Sequence, residues 1–466
     1  MSITQRIQDF YTGRLYPLIV AVLVLFGNLT GLEVYTNAIN VLLICVALLT
    51  CTSSRPLLPF FLSFFYQISM DHTPAKPTGS NYYFTEWRIP LHLFLVFFLA
   101  ISLIVFLFRA RIFAKRNPFK IPLFLPVSLF CISMVLNGLG YAEYVGMNLL
   151  WGVGMALVYG LLFYVFYFGM KNEDADELTS YFTYLTLLLS WILILEVADG
   201  LINGGWIVDG VIQKSKVDLG FGVSNLIGFH LVTMIPMCFY GFMKERCAPL
   251  YLITALLLYA CTLVTLSRNS ILVGAAILLI CFVTAMLVGE RRKRARVAFL
   301  ILMLAALIGF VLFRDVLYRA FESMIQKGFD DSNRFEIYKK SYEIFRAHPS
   351  FGVGFFGLHF GTGEVLPFEL VPEFSHNTVF QLLSATGLVG FIGYSIYRLS
   401  TMWHILRRVT VEKWMLGVAY MTLATQSLLD NYVFQIYTVF YAMAALAIVM
   451  LLSGDRTKKR PTYFMK

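Results

Sequence analysis

The sequence predicts an all-α fold: a polytopic integral membrane helical bundle. Of 466 residues, 59% are hydrophobic and 14% are charged, and the mean hydropathy of +0.73 lies far above that of soluble domains. Apolar stretches long enough to cross about 30 Å of hydrocarbon recur from Tyr16 to Ser453. They leave no room for a separate soluble domain, so residues 1–466 are predicted to form a single integral membrane domain.

Apolar runs of about 20 residues define the predicted membrane spans, about fourteen in all, or about twelve if uncertain segments are left out. The predicted spans are 15–32, 37–52, 56–70, 89–108, 121–139, 147–169, 180–202, 221–243, 248–266, 270–288, 297–313, 376–396, 413–430 and 433–453. The third is short and contains Pro59, so a re-entrant or interfacial segment is the alternative there.

The distribution of Lys and Arg predicts the orientation, since cytoplasmic loops keep the excess of positive charge. Basic residues are concentrated in segments 109–120, 289–296 and 398–413 and in the C-terminal tail. Together with the smaller inner loops and the N-terminus, these segments hold most of the 37 Lys and Arg residues. We therefore expect both termini in the cytoplasm. The formal net charge of +10 then reflects topology and does not indicate a nucleic-acid partner.

Cysteine and histidine usage indicates neither a disulfide framework nor a metal centre. The seven cysteines lie within or beside apolar spans without a CxxC pair, and the seven histidines are scattered. The sequence therefore predicts no metal site and no cofactor.

The largest segment between spans is 315–375, which the predicted topology places outside the cytoplasm. Aromatic residues at Phe335, Tyr338, Tyr342 and Phe345 recur at helical spacing with basic residues between them. This pattern predicts an amphipathic helix on the bundle or at the lipid headgroups. Pro349 is expected to end it.

A GxGxxG string follows at Gly352, Gly354 and Gly357. A dinucleotide fingerprint needs a preceding strand in a βαβ unit, but here a predicted helix precedes the string. We interpret the glycines instead as a flexible, close-packing turn that folds the outer loop back over the membrane site.

Arg268, Arg334 and His376 are predicted at the outer mouth of the bundle and are the candidate catalytic residues. Each has a plainer alternative. Arg268 could be an interfacial anchor, Arg334 a solvated loop charge and His376 a hydrogen-bonded residue at a helix start. Two cations and an imidazole at one membrane face nevertheless suit a membrane-anchored phosphate ester.

The motifs around these residues resemble the O-antigen ligase and polymerase family. They are SRN at 267–269, an arginine opening the amphipathic helix, HPSFGVG at 348–354 and SHNTVFQLLSATGLVGFIGY at 375–394. The resemblance covers residues 260–395, and the His-Asn pair before an apolar helix is its most specific part.

The resemblance implies a membrane glycosyltransferase of the C-type fold in the bacterial cytoplasmic (inner) membrane, acting on the outer face. Its donor would be a glycan linked to a polyprenyl (undecaprenyl) diphosphate, with Arg268 and Arg334 holding the diphosphate and His376 assisting the acceptor. Attack opposite the diphosphate would invert the anomeric centre without metal or nucleotide. A flippase and a chain-length regulator are implied as partners, with the membrane lipid itself.

Four further residues are candidates for substrate binding: Tyr338, Asn377, Glu196 and Asp199. We favour polymerisation of a polysaccharide repeat unit, because no lipid acceptor feature is evident; ligation of the glycan to a lipid or other acceptor is the alternative. A transporter of lipid-linked sugars is an alternative of another class, because such proteins place ionisable residues in mid-membrane. Its candidates would be Glu196, Asp199 and His230, although His230 is more simply explained by an interhelical hydrogen bond.

Overall fold

The protein is a bundle of α-helices. A computed structural model describes residues 3–62, 88–112, 114, 116–208, 210–219, 222–312, 314, 334–358, 374–434 and 436–454. Within these residues the paired strands form one short antiparallel hairpin, Ile207–Val208 with Val211–Ile212. The all-α prediction is therefore confirmed.

The helices follow the chain in an order that leaves short connections between most neighbours. They are α1 Ile3–Thr12, α2 Leu15–Thr30, α3 Glu33–Thr50, α4 Arg88–Arg109, α5 Phe124–Val135, α6 Gly146–Gly169, α7 Ala175–Ile202, α8 Ser224–Lys244, α9 Ala248–Val264, α10 Arg268–Leu287, α11 Arg292–Leu312, α12 Arg334–Ala347, α13 Thr378–Leu406, α14 Val411–Gln426 and α15 Ile436–Gly454. Residues Leu157–Leu162 of α6 form a π-helical turn.

Helices occupy every predicted span except the third, of which residues 63–70 lie outside the described residues. Seven described helices are long and apolar enough to cross a membrane, or eight if the bent pair α1 and α2 forms one span with a 58° break. Helices α5, α9 and α15 contain shorter apolar stretches. An integral membrane bundle follows from these helices, while the larger number of spans stays a prediction.

Helix α8 lies at the centre of the bundle, with its whole apolar stretch buried. It packs against α9, α10 and α14. Small residues permit the close approach: a Cβ on Gly228 would lie 2.7 Å from the Ser270 side chain of α10, and one on Gly241 would strike the Tyr251 ring of α9. The first turns of α8 and α10 are thereby held side by side.

Loops that the charge pattern predicts on the same side of the membrane contact one another at the same end of the bundle. At one end Lys244 binds Glu290 at 2.6 Å, and Arg55 binds Glu177 at 2.7 Å, joining segments predicted to be cytoplasmic. Segments predicted to be outer meet at the other end, where the Gly138 amide donates to the Phe351 carbonyl at 2.8 Å. Which end faces the cytoplasm stays a prediction.

Arg398 departs from its predicted place in a cytoplasmic connector. Helix α13 continues to Leu406, so Arg398 is buried in the bundle and donates to the Tyr420 hydroxyl at 2.6 Å. Its guanidinium also lies over the rings of Tyr394, Tyr397 and Tyr420. The prediction was wrong because electron-rich aromatic faces can accommodate a cation where water is absent.

Helix α13 is broken at Gly387, whose backbone has φ 62° and ψ −161°. The break leaves backbone groups without intrahelical partners, and segment 349–354 supplies replacements. The amides of Val353 and Gly354 donate to the carbonyls of Ser384 and Ala385 at 3.0 and 2.9 Å, and the Leu388 and Val389 amides donate to the carbonyls of this segment. Irregular backbone at membrane depth is thus paired inside the protein.

The GxGxxG string forms this close-packing segment. Gly352 and Gly354 both have positive φ, and a Cβ on either would strike its neighbours, the α13 backbone in one case and the Asn148 side chain in the other. The string follows helix α12, not a strand. The close-packing interpretation is confirmed, and the nucleotide fingerprint is excluded by its context.

The predicted amphipathic helix is α12, which packs against α13. Tyr338 and Ser341 pack inward against α13, whereas Phe335 and Tyr342 are exposed. The helix therefore lies on the bundle, as one of the two predicted placements has it, with part of its aromatic stripe turned outward.

Replacing Gly387 by alanine should destabilise the protein. A Cβ there would strike the backbone of Ser350 and Phe351, and φ 62° with ψ −161° is strained for any L residue, with an expected cost of about 1–3 kcal/mol or more. The midpoint of thermal unfolding of the purified protein should fall by several degrees. Gly154→Ala is the matched control, because it places a methyl in open space on helix α6. Equal midpoints for both variants would contradict the proposed role of the break.

Candidate active site

The turn that ends helix α14, residues 426–431, is where the predicted site residues meet. The Ser427 carbonyl accepts from the Thr378 hydroxyl at 2.6 Å and from the Thr378 amide at 3.2 Å. The Leu428 carbonyl accepts from the Asn377 side chain at 2.7 Å. These contacts fix the first turn of α13 to the end of α14.

His376 directly precedes this first turn and forms a pair with Asp430. Its Nδ1 lies 3.1 Å from the Asp430 Oδ1. Because an ionised carboxylate can only accept, the neutral imidazole in this pair carries its proton on Nδ1, and Nε2 is then the nitrogen with the lone pair. The imidazole is 44% exposed and the carboxylate 18%, so a ligand can reach the imidazole while Asp430 stays largely shielded.

The backbone at His376 is held in the left-handed region, with φ 52°. Few side chains other than asparagine or glycine adopt this conformation readily, so the surroundings must impose it. The Tyr338 hydroxyl donates to the His376 carbonyl at 3.4 Å from one side, and the Asn377 side chain caps α13 from the other. Together these contacts direct the imidazole toward Asp430.

Asn377 is the N-cap of α13. Its Oδ1 accepts from the amides of Val379 and Phe380 at 2.8 and 3.2 Å. Beneath it, the buried Gln381 side chain accepts from the Ser375 amide at 2.6 Å and from the Asn431 side chain at 3.3 Å. Ser375, next to His376, and Asn431, next to Asp430, are therefore linked through Gln381.

Arg334 opens helix α12 and contacts the same turn. Its Nη1 donates to the Leu429 carbonyl at 3.1 Å, one residue from Asp430. The helix is oriented by Tyr338, whose ring stacks on Phe380 of α13 with centroids 4.7 Å apart. The structure thus brings Arg334, Tyr338, His376 and Asn377 together, although they come from two helices.

Arg268 is the first residue of α10 and is exposed at the same end of the bundle. The residues after it are tied to the turn: the Asn269 side chain donates to the Gln426 carbonyl at 3.4 Å, and the Ser270 hydroxyl donates to the Gln426 side chain at 3.2 Å. Helices α10, α12 and α13 therefore all begin at the 426–431 turn.

Lys214 is a further cation at this site that sequence reasoning missed. It lies in the loop between α7 and α8, far from the motifs in the chain. Partial burial of its amine, and then repulsion from Arg268 and Arg334, lower the pKa of Lys214 below its usual range. Three basic side chains from three separate segments thus share one electrostatic neighbourhood.

Glu196 and Asp199 lie on α7, and their hydrogen bonds are to residues outside the 426–431 turn. The buried Glu196 carboxylate accepts from Asn28 of α2 at 3.0 Å, and Asp199 accepts from the Asn203 side chain at 2.6 Å. The first contact joins α7 to α2. The second joins Asp199 to Asn203, the residue that follows the end of α7. His230 is buried in the central helix α8.

Asp430 was also missed, because it closes a predicted span and has no motif beside it. The available signal was the carboxylate itself. An acidic residue at the end of an apolar helix is uncommon and usually has a hydrogen-bonding or ionic partner. Lys214 offered no comparable signal, since a lysine in a polar loop is ordinary.

Residues 253–395 match the model of the O-antigen ligase family. No curated protein and no solved structure matches the chain. The matched range includes Arg268, Arg334 and His376, whereas Lys214 and Asp430 lie outside it.

With the apolar helices, this match indicates an integral membrane protein with a region similar to the O-antigen ligases, a family of membrane glycosyltransferases of surface polysaccharide biosynthesis. The resemblance to the O-antigen ligase and polymerase family that the motifs in residues 260–395 predict is confirmed over the matched residues 253–395.

Asn377 should contribute to stability through two separable contacts. Asn377→Ala removes the cap of α13 and the bond to Leu428, each worth about 1 kcal/mol. Asn377→Ser keeps a capping oxygen but is too short to replace the bond to Leu428. The unfolding midpoint of the serine variant should therefore lie between those of wild type and the alanine variant. A serine variant no more stable than the alanine variant would argue against the cap.

Proposed function

We propose that the protein transfers a glycan from a polyprenyl diphosphate-linked donor to the hydroxyl of an acceptor sugar at the outer face of the membrane. The observation that carries this proposal is that Arg334 and the His376–Asp430 pair meet at the 426–431 turn, to which Asn269, the neighbour of Arg268, is also bonded. Cations and a general base are the groups that such a reaction needs.

Two features support diphosphate binding by Arg268 and Arg334. A guanidinium offers paired N–H donors that match phosphate oxygens. Both arginines also occupy the first position of a helix, where the positive end of the dipole disfavours a cation. A bound anion would relieve this unfavourable arrangement at both helices.

The His376–Asp430 pair supports general-base catalysis. Nε2 of His376 would accept the proton of the acceptor hydroxyl as its oxygen bonds to C1 of the donor sugar. The C1–O bond to the diphosphate breaks, and its electron pair leaves with the phosphate oxygen, where the arginines stabilise the added charge. Asp430 would stabilise the imidazolium that forms. Attack opposite the leaving group would invert the anomeric centre, and none of these steps uses a metal.

The other predicted substrate-binding residues have separate roles in this proposal. Tyr338 and Asn377 touch the backbone around His376, so we assign them to positioning the base. Glu196 and Asp199 stay predictions for the lining of a donor or acceptor cavity. We favour polymerisation of a repeat unit over ligation, with a flippase supplying the donor and a chain-length regulator acting on the product.

A reconstituted reaction tests this mechanism. Purified protein in lipid, given only a polyprenyl diphosphate-linked repeat unit, should produce a ladder of chain lengths. Arg268→Ala and Arg334→Ala should abolish it, whereas Arg346→Ala, an exposed arginine at the far end of α12, should not. Transfer only after addition of a separate acceptor would identify a ligase, and no transfer to any acceptor would favour the transporter.

The same assay tests whether His376 itself acts as the general base. His376→Gly should lower the rate on the order of 10²–10⁴-fold. Glycine accepts φ 52° without strain, so the fold should be kept and a space left for imidazole. Added imidazole should restore part of the rate, and Asp430→Asn should weaken that rescue. Full activity of His376→Gly without imidazole would remove His376 from the mechanism.

The proposed orientation is tested by cysteine labelling in intact cells. In a Cys247→Ser background, Lys293→Cys should resist an impermeant maleimide, because segment 289–296 is proposed to be cytoplasmic. Lys216→Cys, exposed in the loop between α7 and α8, should react. The opposite labelling pattern would place the site on the cytoplasmic side.

A further inference from the structure

A groove of about 670 Å³ lies between the start of α5 and the end of α13. Residues 119–126 form one wall, and Leu399, Ser400, Trp403 and His404 of α13 form the other. The volume is within the range of small-ligand sites. The groove lies at the opposite end of α13 from His376, and the proposed glycosyl transfer uses none of its residues.

The groove opens where two closely packed helices end. Further into the bundle, a Cβ on Gly393 of α13 would lie 2.8 Å from the Ser133 hydroxyl of α5. Two turns along α13 from this contact, the chain enters α5 through Leu123, whose φ of 57° is one that leucine adopts only when its surroundings impose it. The Leu123 side chain is buried. The chain therefore bends at the entrance of α5, and residues 119–122 complete the groove against the end of α13.

The charge of the groove is complementary to an anion. Lys120 and His404 are the ionisable side chains among the described residues that line it, and no Asp or Glu is among them. Both side chains can donate an N–H to an anionic oxygen. The backbone at Lys120 is held in a short turn, because the Asn117 side chain accepts from the Phe119 amide at 3.0 Å. A bound ammonium group would find no carboxylate on these walls.

Two exposed apolar stripes begin at the groove, one on each of the packed helices. Their members are Leu125, Leu129 and Ile132 on α5 and Leu388, Ile392, Ile396 and Leu399 on α13. At 1.5 Å per residue, the stripe on α13 is about 16 Å long. That length is close to the roughly 15 Å of hydrocarbon that one leaflet contributes to a bilayer. The stripes can therefore hold an acyl chain whose headgroup lies in the groove.

The position of the groove along the helices matches the headgroup level of a membrane. A predicted span begins at Ile121, in one wall of the groove, and the exposed Trp403 ring lies in the other. Tryptophan is enriched where hydrocarbon meets headgroups. Lys120 then lies just outside the hydrocarbon, at the depth of lipid phosphates.

We propose that this groove binds an anionic phospholipid. Lys120 and His404 contact its phosphate, and an acyl chain lies along the stripes of α5 and α13. Basic recesses between membrane helices are suited to anionic headgroups. Phosphatidylglycerol, with one negative charge and uncharged hydroxyls, fits walls that lack carboxylates. Phosphatidylethanolamine fits less well, because its ammonium group would lie beside Lys120 without a counter-charge.

Lipid binding to the purified, delipidated protein tests this proposal. Native mass spectrometry would compare phosphatidylglycerol with phosphatidylethanolamine that has the same acyl chains, and wild type should bind the first more tightly. Lys120→Gln should weaken phosphatidylglycerol binding by about tenfold, a typical loss for one charged hydrogen bond, and should change phosphatidylethanolamine binding less. Leu399→Ala should weaken both lipids alike, because the acyl surface is common to them.

Two further variants serve as controls. Lys293→Gln removes an exposed lysine on α11, outside the groove but predicted on the same side of the membrane, and should bind like wild type. Lys120→Arg keeps the charge and should retain most of the affinity. Because Lys120 is exposed, all these lysine variants should keep the unfolding midpoint of the lipid-free wild type.

Three results would overturn the proposal. Equal affinities of wild type for the two lipids would show that the groove does not select negative charge. An unchanged affinity of Lys120→Gln for phosphatidylglycerol would place the bound lipid elsewhere. Displacement of phosphatidylglycerol by a polyprenyl monophosphate at much lower concentration would assign the groove to the carrier lipid instead.

Discussion

An α-helix ends in carbonyl groups that have no amide donors within the helix, and inside a membrane protein these groups must find partners elsewhere. At the end of α14 the partners are side chains from other helices. Thr378, Asn377 and Arg334 donate to three consecutive carbonyls, those of Ser427, Leu428 and Leu429. The same requirement that stabilises the end of one helix therefore assembles the candidate site, and Asp430 and His376 meet because their neighbours are already bound.

Much of the fold could be predicted, because a segment that crosses a membrane must be apolar over most of its length. Every predicted span contains a described helix except the third, of which residues 63–70 lie outside the described residues. Arg268 and His376 were recognisable because they lie at the ends of apolar runs within family motifs, and Arg334 because it opens the predicted amphipathic helix. Asp430 and Lys214 were not, since their relevance depends on tertiary contacts that bring distant segments together. The buried place of Arg398 was missed for a similar reason, because its tyrosine neighbours come from more than one helix.

The break in helix α13 likewise leaves backbone groups whose hydrogen-bond partners come from another segment of the chain. Unbroken, α13 would satisfy its own amides and carbonyls and would leave segment 349–354 without partners. Gly387 interrupts it, and the glycines of that segment allow the backbones to come within hydrogen-bonding distance. Segment 349–354 is thereby fixed to α13, the helix that begins beside His376. The positions of Arg334 and His376 thus depend on residues that take no part in the chemistry.

The 426–431 turn also has a consequence for how the protein is made. The matched region at residues 253–395 contains the arginines and the histidine, but the carbonyls and the carboxylate that arrange them are synthesised afterwards. A ribosome that has just completed this region has produced the candidate side chains without the turn that holds them. The nascent chain is therefore expected to lack the assembled candidate site until helix α14 has been inserted.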